Sequence, residues 1–256
     1  MIVRPRRRTV ARLGALGLVL GALSGLLGCA TTPAEDPQAA AARNQTVIAS
    51  PIRTDQDRRM DAARHPAEFL PFAQLKPGMQ VLDVSAGAGY TSQLLALAVG
   101  PTGTVWAQSP RPGPALTMRL NDHPQANLVV VERPFEDPVP GDAPRLDLIT
   151  IVLNYHDITY LPVDRATMNR RLYAALKPGG HLVVIDHSGR AGTGIGEGKT
   201  LHRIDEAVVR NELQQAGFVL EAESDFLRNA ADPRDASSGN SPIATDKFAL
   251  RFVKPQ

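Results

Sequence analysis

The chain has 256 residues, a hydrophobic fraction of 43%, a single cysteine and a formal net charge of +2 at pH 7. Five arginines lie within the first twelve residues, and the rest of the chain carries 23 basic and 26 acidic side chains. The length and apolar content suffice for one domain with a substantial core, while the single cysteine excludes an internal disulfide framework and a cysteine-rich zinc site. The slightly acidic body argues against nucleic-acid binding.

Residues 1–29 are organised like a bacterial export signal. A basic segment precedes an apolar run over residues 13–27, which is shorter than the roughly 20 residues that a membrane-spanning helix needs. The run ends in Leu26-Leu27-Gly28-Cys29, which resembles a lipobox, in which the cysteine is lipidated and becomes the mature N-terminus. We therefore expect an exported membrane lipoprotein that faces the periplasm and is anchored by a lipid at Cys29. An ordinary signal peptide and a cytoplasmic start are the alternatives, and Arg7-Arg8 resembles part of a twin-arginine signal.

Residues 30–54 are rich in Ala, Thr, Pro and Gln, a composition typical of a flexible tether. The domain itself is predicted over residues 55–256, where apolar runs of strand length alternate with segments at helical spacing. The predicted strands are residues 80–84, 103–107, 127–132, 146–153, 181–186, 218–223 and 247–253. The predicted helices are a short pair over 57–75 and single helices over 90–98, 164–176 and 205–216. This alternation predicts an α/β fold with a mostly parallel sheet covered on both faces, and the polar segment 229–242 is predicted to be a mobile loop.

A turn of small residues follows the first predicted strand, in the sequence Val81-Leu82-Asp83-Val84-Ser85-Ala86-Gly87-Ala88-Gly89. Small residues let the backbone approach a ligand, and the N-terminus of the next helix presents free N–H groups. The segment resembles motif I of the class I S-adenosylmethionine (SAM)-dependent methyltransferases. Residues 175–180 and 216–218 resemble the turns that lead into the fifth and sixth strands of that family. The resemblance implies a doubly wound, Rossmann-like, seven-stranded sheet whose antiparallel last strand lies between the fifth and sixth.

The resemblance also implies SAM as cofactor and methyl transfer to a small molecule. The expected cofactor-binding residues are Asp83, Ser85, Gly87, Gly89, Gln108 and Asn154. Asp83 would accept a hydrogen bond from the cofactor's ammonium group. Two positions depart from the family pattern: Ser85 replaces the first glycine, and Gln108 stands where most members carry an acid that binds the ribose.

A second group of polar residues follows the fourth and fifth predicted strands, in Asn154-Tyr155-His156-Asp157, Asp186-His187-Ser188 and His202-Arg203-Ile204-Asp205. Ligands of open α/β sheets bind beyond the carboxyl ends of the strands, so these segments are expected to converge. One interpretation is general base catalysis by His156 or, second, His187, with Asp157 as a third catalytic residue. Another is a divalent metal held by His156, Asp186, His187 and His202. In a third, purely structural interpretation, His202 and Asp205 cap the helix at 205–216.

The function therefore has two candidates. The first is a SAM-dependent methyltransferase, and these three segments resemble a group of uncharacterised predicted methyltransferases. The second is an exported lipoprotein that reuses the fold for metal-dependent hydrolysis or ligand binding through the His/Asp cluster. The glycine-rich segment 189–198 is a candidate lid over the crevice.

Overall fold

Strands and helices alternate along the chain in this computed structural model, which describes residue 1 and residues 36–256. The strands are β1 (Gln80–Val84), β2 (Thr104–Ser109), β3 (Leu128–Glu132), β4 (Leu146–Val152), β5 (Leu176–His187), β6 (Val219–Ser224) and β7 (Lys247–Val253). The helices are α1 (Pro37–Ile48), α2 (Asp55–Arg64), α3 (Pro66–Phe72), α4 (Tyr90–Val99), α5 (Pro114–Asp122), α6 (Tyr155–Ile158), α7 (Arg165–Ala175), α8 (Gly198–Leu201) and α9 (Glu206–Gln215). The predicted export signal and Cys29 lie outside the described residues.

The seven strands form one sheet in the order β3-β2-β1-β4-β5-β7-β6. The pairs among β1 to β5 are parallel, and β7 runs antiparallel to both β5 and β6. The predicted doubly wound sheet, with its antiparallel last strand between the fifth and sixth, is confirmed. The carboxyl ends of β1, β2, β4 and β5 consequently meet along one edge of the sheet.

Each face of the sheet has its own apolar core. Successive side chains of a strand point to opposite faces, so Val81 of β1 joins one core and Leu82 joins the other. The first core packs beneath α1, α3 and α4, with Leu95 fully buried. The second packs beneath α7 and α9, with Leu172 and Leu213 fully buried. Burial on both faces explains why the central strands are nearly continuous apolar runs in the sequence.

The domain begins earlier than predicted, because residues 36–54 are folded. Asp36 caps α1 by accepting from the backbone N–H of Gln38 at 3.0 Å, and Val47 of the same helix is only 5% exposed. Helix α1 packs on α3 and α4. The prediction of a flexible tether over residues 30–54 is therefore wrong for residues 36–54. Alanine and glutamine are good helix formers. The few apolar side chains of α1 suffice to bury one face of the helix.

The segment that joins β6 and β7 lacks regular secondary structure but is held by buried ionic contacts. The guanidinium of Arg203 is fully buried and donates to Asp232 Oδ2 at 2.8 Å, to the Ser188 carbonyl at 3.0 Å and to the Ala236 carbonyl at 2.9 Å. The backbone N–H of Asp246 also donates to Asp232, at 2.6 Å. Segment 229–242, which the sequence predicts to be a mobile loop, is thus connected through Asp232 and Arg203 to Ser188, directly after β5.

No helix among the described residues has both the length and the apolar character needed to cross a membrane.

Candidate functional site

A cleft with a volume of about 480 Å³ opens at the carboxyl ends of β1 and β4. Sites for small molecules commonly have volumes of about 300–1,000 Å³. Its floor is the motif I turn at residues 85–88, and its walls come from α2, α5 and residues 152–154. The predicted residues Asp83, Ser85, Gly87 and Asn154 all line it.

The motif I turn depends on backbone conformations that most residues avoid. Ser85, Gly87 and Gly89 have φ angles of +60°, +56° and +83°. A Cβ on Gly87 would meet nothing closer than 4.0 Å, so this glycine leaves the cleft open and supplies the left-handed conformation. A Cβ on Gly89 would lie 2.7 Å from Leu116 Cδ1, so Gly89 lets α5 pack closely. Gly89 therefore does not line the cleft; it allows the close packing of α5, which forms one of the cleft walls.

Gln108 has a different place from the one the sequence suggested. The residue is fully buried at the end of β2. Its Oε1 accepts from the Ser85 backbone N–H at 3.0 Å, and its Nε2 donates to the Arg133 carbonyl at 2.7 Å. Both ends of the amide are therefore engaged within the protein, and Gln108 does not line the cleft. The expectation that Gln108 contacts the ribose is corrected: the residue fixes the motif I turn.

Asp83 lies at the inner wall of the cleft and is almost fully buried. Ser92 Oγ donates to its carboxylate at 2.5 Å and Thr150 Oγ1 at 2.7 Å. Burial raises the pKa of Asp83 to about 6, because it outweighs these two hydrogen bonds and the nearby charge of Arg64. Contact between Asp83 and the cofactor's ammonium group stays a prediction.

Two arginines of the cleft were not expected from the sequence. Arg64, at the end of α2, lines the cleft with its guanidinium 5.7 Å from the Tyr90 ring centroid. Arg119 of α5 pairs with buried Asp57 at 2.8 Å and donates to the Ala88 carbonyl at 2.7 Å. Arg119 thereby joins α5, α2 and the motif I turn. Helix α5 was not predicted, although Pro114 at its first turn is a recognisable start signal.

The predicted His/Asp cluster forms at the ends of β4 and β5. His156 Nδ1 lies 2.6 Å from Asp186 Oδ1, and His156 Nε2 lies 3.2 Å from Asp157 Oδ1. The carboxylate of Asp186 also accepts from the backbone N–H groups of His156 and His187, each at 2.8 Å. Asp186 is fully buried, and its oxygens are occupied by these groups.

The two candidate bases differ in charge. Burial alone would lower the pKa of His156, but its hydrogen bonds and attraction to Asp157 and Asp186 raise it to about 9. His156 is therefore an imidazolium at neutral pH and cannot accept a proton. Burial, and then the charge of Lys247, lower the pKa of His187 to about 3, so its imidazole is neutral. A pKa of about 3 also makes His187 a weak proton acceptor, so neither histidine has the pKa near neutrality that suits a general base.

Asp157 connects the cluster to a third histidine and to the cleft. Its Oδ1 lies 3.0 Å from His202 Nδ1, and the Tyr160 hydroxyl donates to it at 2.7 Å. Asn154, which lines the cleft, donates to Asp157 Oδ2 at 3.2 Å. These contacts place the cluster directly beside the cleft.

The residues that could hold a metal differ from the predicted set. Among the described residues, His156, Asp157 and His202 bring three ligand atoms within 4.8 Å of one another. The predicted set included Asp186 and His187, whereas the cluster in the structure contains Asp157 instead. Asp186 instead orients His156, and His187 Nδ1 lies 2.8 Å from Thr245 Oγ1. The predicted helix cap is confirmed for Asp205, which accepts from the Ala207 N–H at 3.0 Å.

Comparison with known proteins agrees with the fold and the cleft. The protein-L-isoaspartate(D-aspartate) O-methyltransferase family matches residues 35–111, which contain the motif I turn and β2. The ubiquinone/menaquinone biosynthesis C-methyltransferase UbiE of Burkholderia multivorans is 28% identical over 119 residues, 45% of this chain and 46% of that protein. The same enzyme of Cupriavidus metallidurans is 27% identical over 116 residues. The chain thus spans about half the length of the curated relatives it matches.

Solved structures resemble the chain over a larger part of its length. A SAM-dependent methyltransferase from Aquifex aeolicus has a TM-score of 0.58 at 19% identity, covering 86% of this chain and all of that one. The N-methyltransferase NodS from Bradyrhizobium japonicum has a TM-score of 0.53 at 15% identity, covering 79% and 98%. At these identities the likeness is one of fold. With the motif I cleft at the carboxyl edge of a β3-β2-β1-β4-β5-β7-β6 sheet, the chain has the fold of the class I SAM-dependent methyltransferases.

Proposed function

We propose that this protein is a SAM-dependent methyltransferase that acts on a small molecule. The observation that carries the proposal is the cleft between the motif I turn and α5, where exposed Gly87 lies next to the N-terminus of α4. The family match and the curated relatives share methyl transfer but differ in the acceptor their names state. They therefore support the reaction type and leave the acceptor open.

The residues around the cleft suit this reaction. SAM carries its methyl group on a sulfonium, so transfer is a direct displacement by a nucleophile of the acceptor. The backbone N–H groups at the start of α4 would bind the carboxylate of the cofactor. Arg64 supplies a positive charge to the cleft wall. The protein's main contribution is to position the two partners.

A small apolar recess adjoins the cleft. Arg64, Tyr90 and Leu153 line both cavities, and Ile185 and Leu227 line only the recess. The recess has a volume of about 10 Å³, close to the room that one water molecule needs.

Filling the cleft is expected to weaken cofactor binding. Ala88 is exposed in the motif I turn and lacks the left-handed conformation of Gly87, so Ala88→Trp adds bulk without backbone strain. We expect S-adenosylhomocysteine to bind the wild-type protein and to bind Ala88→Trp at least about tenfold more weakly, measured by isothermal titration calorimetry.

The matched control is Ala174→Trp, at an exposed position of α7 near the opposite edge of the sheet. This variant is expected to bind like the wild type. The proposal fails if folded wild-type protein binds neither SAM nor S-adenosylhomocysteine at millimolar concentration.

We also propose that the protein is exported and anchored to the membrane by a lipid on Cys29. The three-part N-terminal sequence supports this proposal. Because Cys29 is the single cysteine, Cys29→Ser is expected to remove all incorporation of labelled palmitate in growing cells, whereas Ser50→Ala retains it. Equal labelling of Cys29→Ser and Ser50→Ala would exclude the anchor.

A further inference from the structure

His156, Asp157 and His202 form a cluster beside the cofactor cleft, with three potential ligand atoms directed towards one another. We propose that this cluster binds one divalent transition-metal ion, and that Zn²⁺ fits its chemistry best. Two imidazole nitrogens and a carboxylate oxygen are ligands that zinc favours, and three protein ligands leave a fourth position open.

The spacing of the three atoms fits such an ion. Asp157 Oδ1 lies 3.2 Å from His156 Nε2 and 3.0 Å from His202 Nδ1. Tetrahedral bonds of about 2.0–2.1 Å keep neighbouring ligand atoms about 3.3 Å apart. The two distances to Asp157 therefore need to lengthen by only a few tenths of an ångström, and all three ligand atoms lie within 4.8 Å of one another. In the ion's presence, the nitrogens that now face Asp157 would carry no proton.

The surrounding residues orient the ligands in the way metal sites require. A metal-binding histidine almost always donates its second ring N–H to a carboxylate or carbonyl. Buried Asp186 takes this part for His156, at 2.6 Å from Nδ1, and leaves Nε2 directed at Asp157. Asn154 and Tyr160 hold the carboxylate of Asp157 by hydrogen bonds.

Solvent has access to the cluster from one side. The side chain of His202 is 42% exposed and that of Asp157 is 29% exposed, while His156 is almost fully buried. His202 also has a left-handed backbone, with φ of +51°, which is uncommon for a histidine. An ion can thus enter past His202 and meet a preformed inner ligand.

The test uses the full-length protein without an affinity tag, freed of metal with a chelator and titrated with Co²⁺ or Zn²⁺. We expect one ion per chain and a visible Co²⁺ absorption band that Zn²⁺ displaces. His202→Asn, which tolerates the left-handed backbone, is expected to weaken binding at least about tenfold, and Asp186→Asn by about 10–100-fold. His123→Asn is the matched control, because His123 lies outside the cluster, and it is expected to bind like the wild type.

Folded wild-type protein that binds neither ion would overturn the proposal. Unchanged affinity in His202→Asn, with the fold verified by circular dichroism, would do the same. The titration contains no SAM, so its outcome is independent of methyl transfer. Conversely, failure to bind S-adenosylhomocysteine would leave the metal site standing.

Discussion

Replacing Arg203 with methionine is expected to lower the free energy of unfolding by about 3–5 kcal/mol. The Arg203 and Asp232 side chains are 0% and 1% exposed, so the variant leaves Asp232 with an uncompensated buried charge. It also removes the donors that satisfy the Ser188 and Ala236 carbonyls. Urea unfolding followed by circular dichroism measures the change.

Arg170→Met is the control for this experiment. Arg170 is exposed on α7 and donates only to Thr167 of the same helix, so its removal is expected to change the unfolding free energy by less than about 0.5 kcal/mol. If Arg203→Met is as stable as Arg170→Met, then the segment between β6 and β7 is not held by the buried pair.

Stability is expected to fall by about 2 kcal/mol between pH 4 and pH 6 through Asp83 alone. Its pKa is about 6 in the folded protein and 3.8 ordinarily, so the folded state keeps a proton that the unfolded chain has lost in this window. The contribution of Asp83 is fully present below its ordinary pKa and is lost as the pH rises through 6. The Asp83→Asn variant preserves the shape and has no such titration.

The measurement compares wild type and Asp83→Asn by urea unfolding at several pH values from 4 to 7. Taking the difference removes the contributions of other groups. One of these is His187, whose lowered pKa acts in the opposite direction and costs stability as the pH falls below its ordinary 6.5. A difference that stays constant across this range would show that Asp83 is not buried in the form described.

The sheet could be predicted from the sequence because its central strands are buried on both faces. Such burial favours nearly continuous apolar runs, as at residues 146–152, and the flanking glycines mark the turns. Helices α1 and α5 were missed, since their apolar faces are short and their polar content resembles that of loops. Their packing on α3, α4 and the motif I turn arises only in the folded chain.

The location of the site could be predicted from the sequence, but the contacts between its side chains could not. The carboxyl ends of parallel strands must meet, so the convergence of His156, Asp157 and Asp186 followed from their positions after β4 and β5. Which carboxylate faces which ring nitrogen depends on side-chain direction, and the sequence contains no signal for that. Arg203 and Asp232 are 29 positions apart, and no local sequence pattern predicts that they form an ion pair.

The two hydrogen bonds of Gln108 limit which side chains this position can hold. A glutamate at this position could still accept from the Ser85 N–H, but it would face the Arg133 carbonyl oxygen, now 2.7 Å from a donor, with a second acceptor. It would also bring a charge into a fully buried site. Replacement of Gln108 by an acid is thus opposed by the rest of the turn. An acid would fit at this position only if the backbone around residue 133 changed as well.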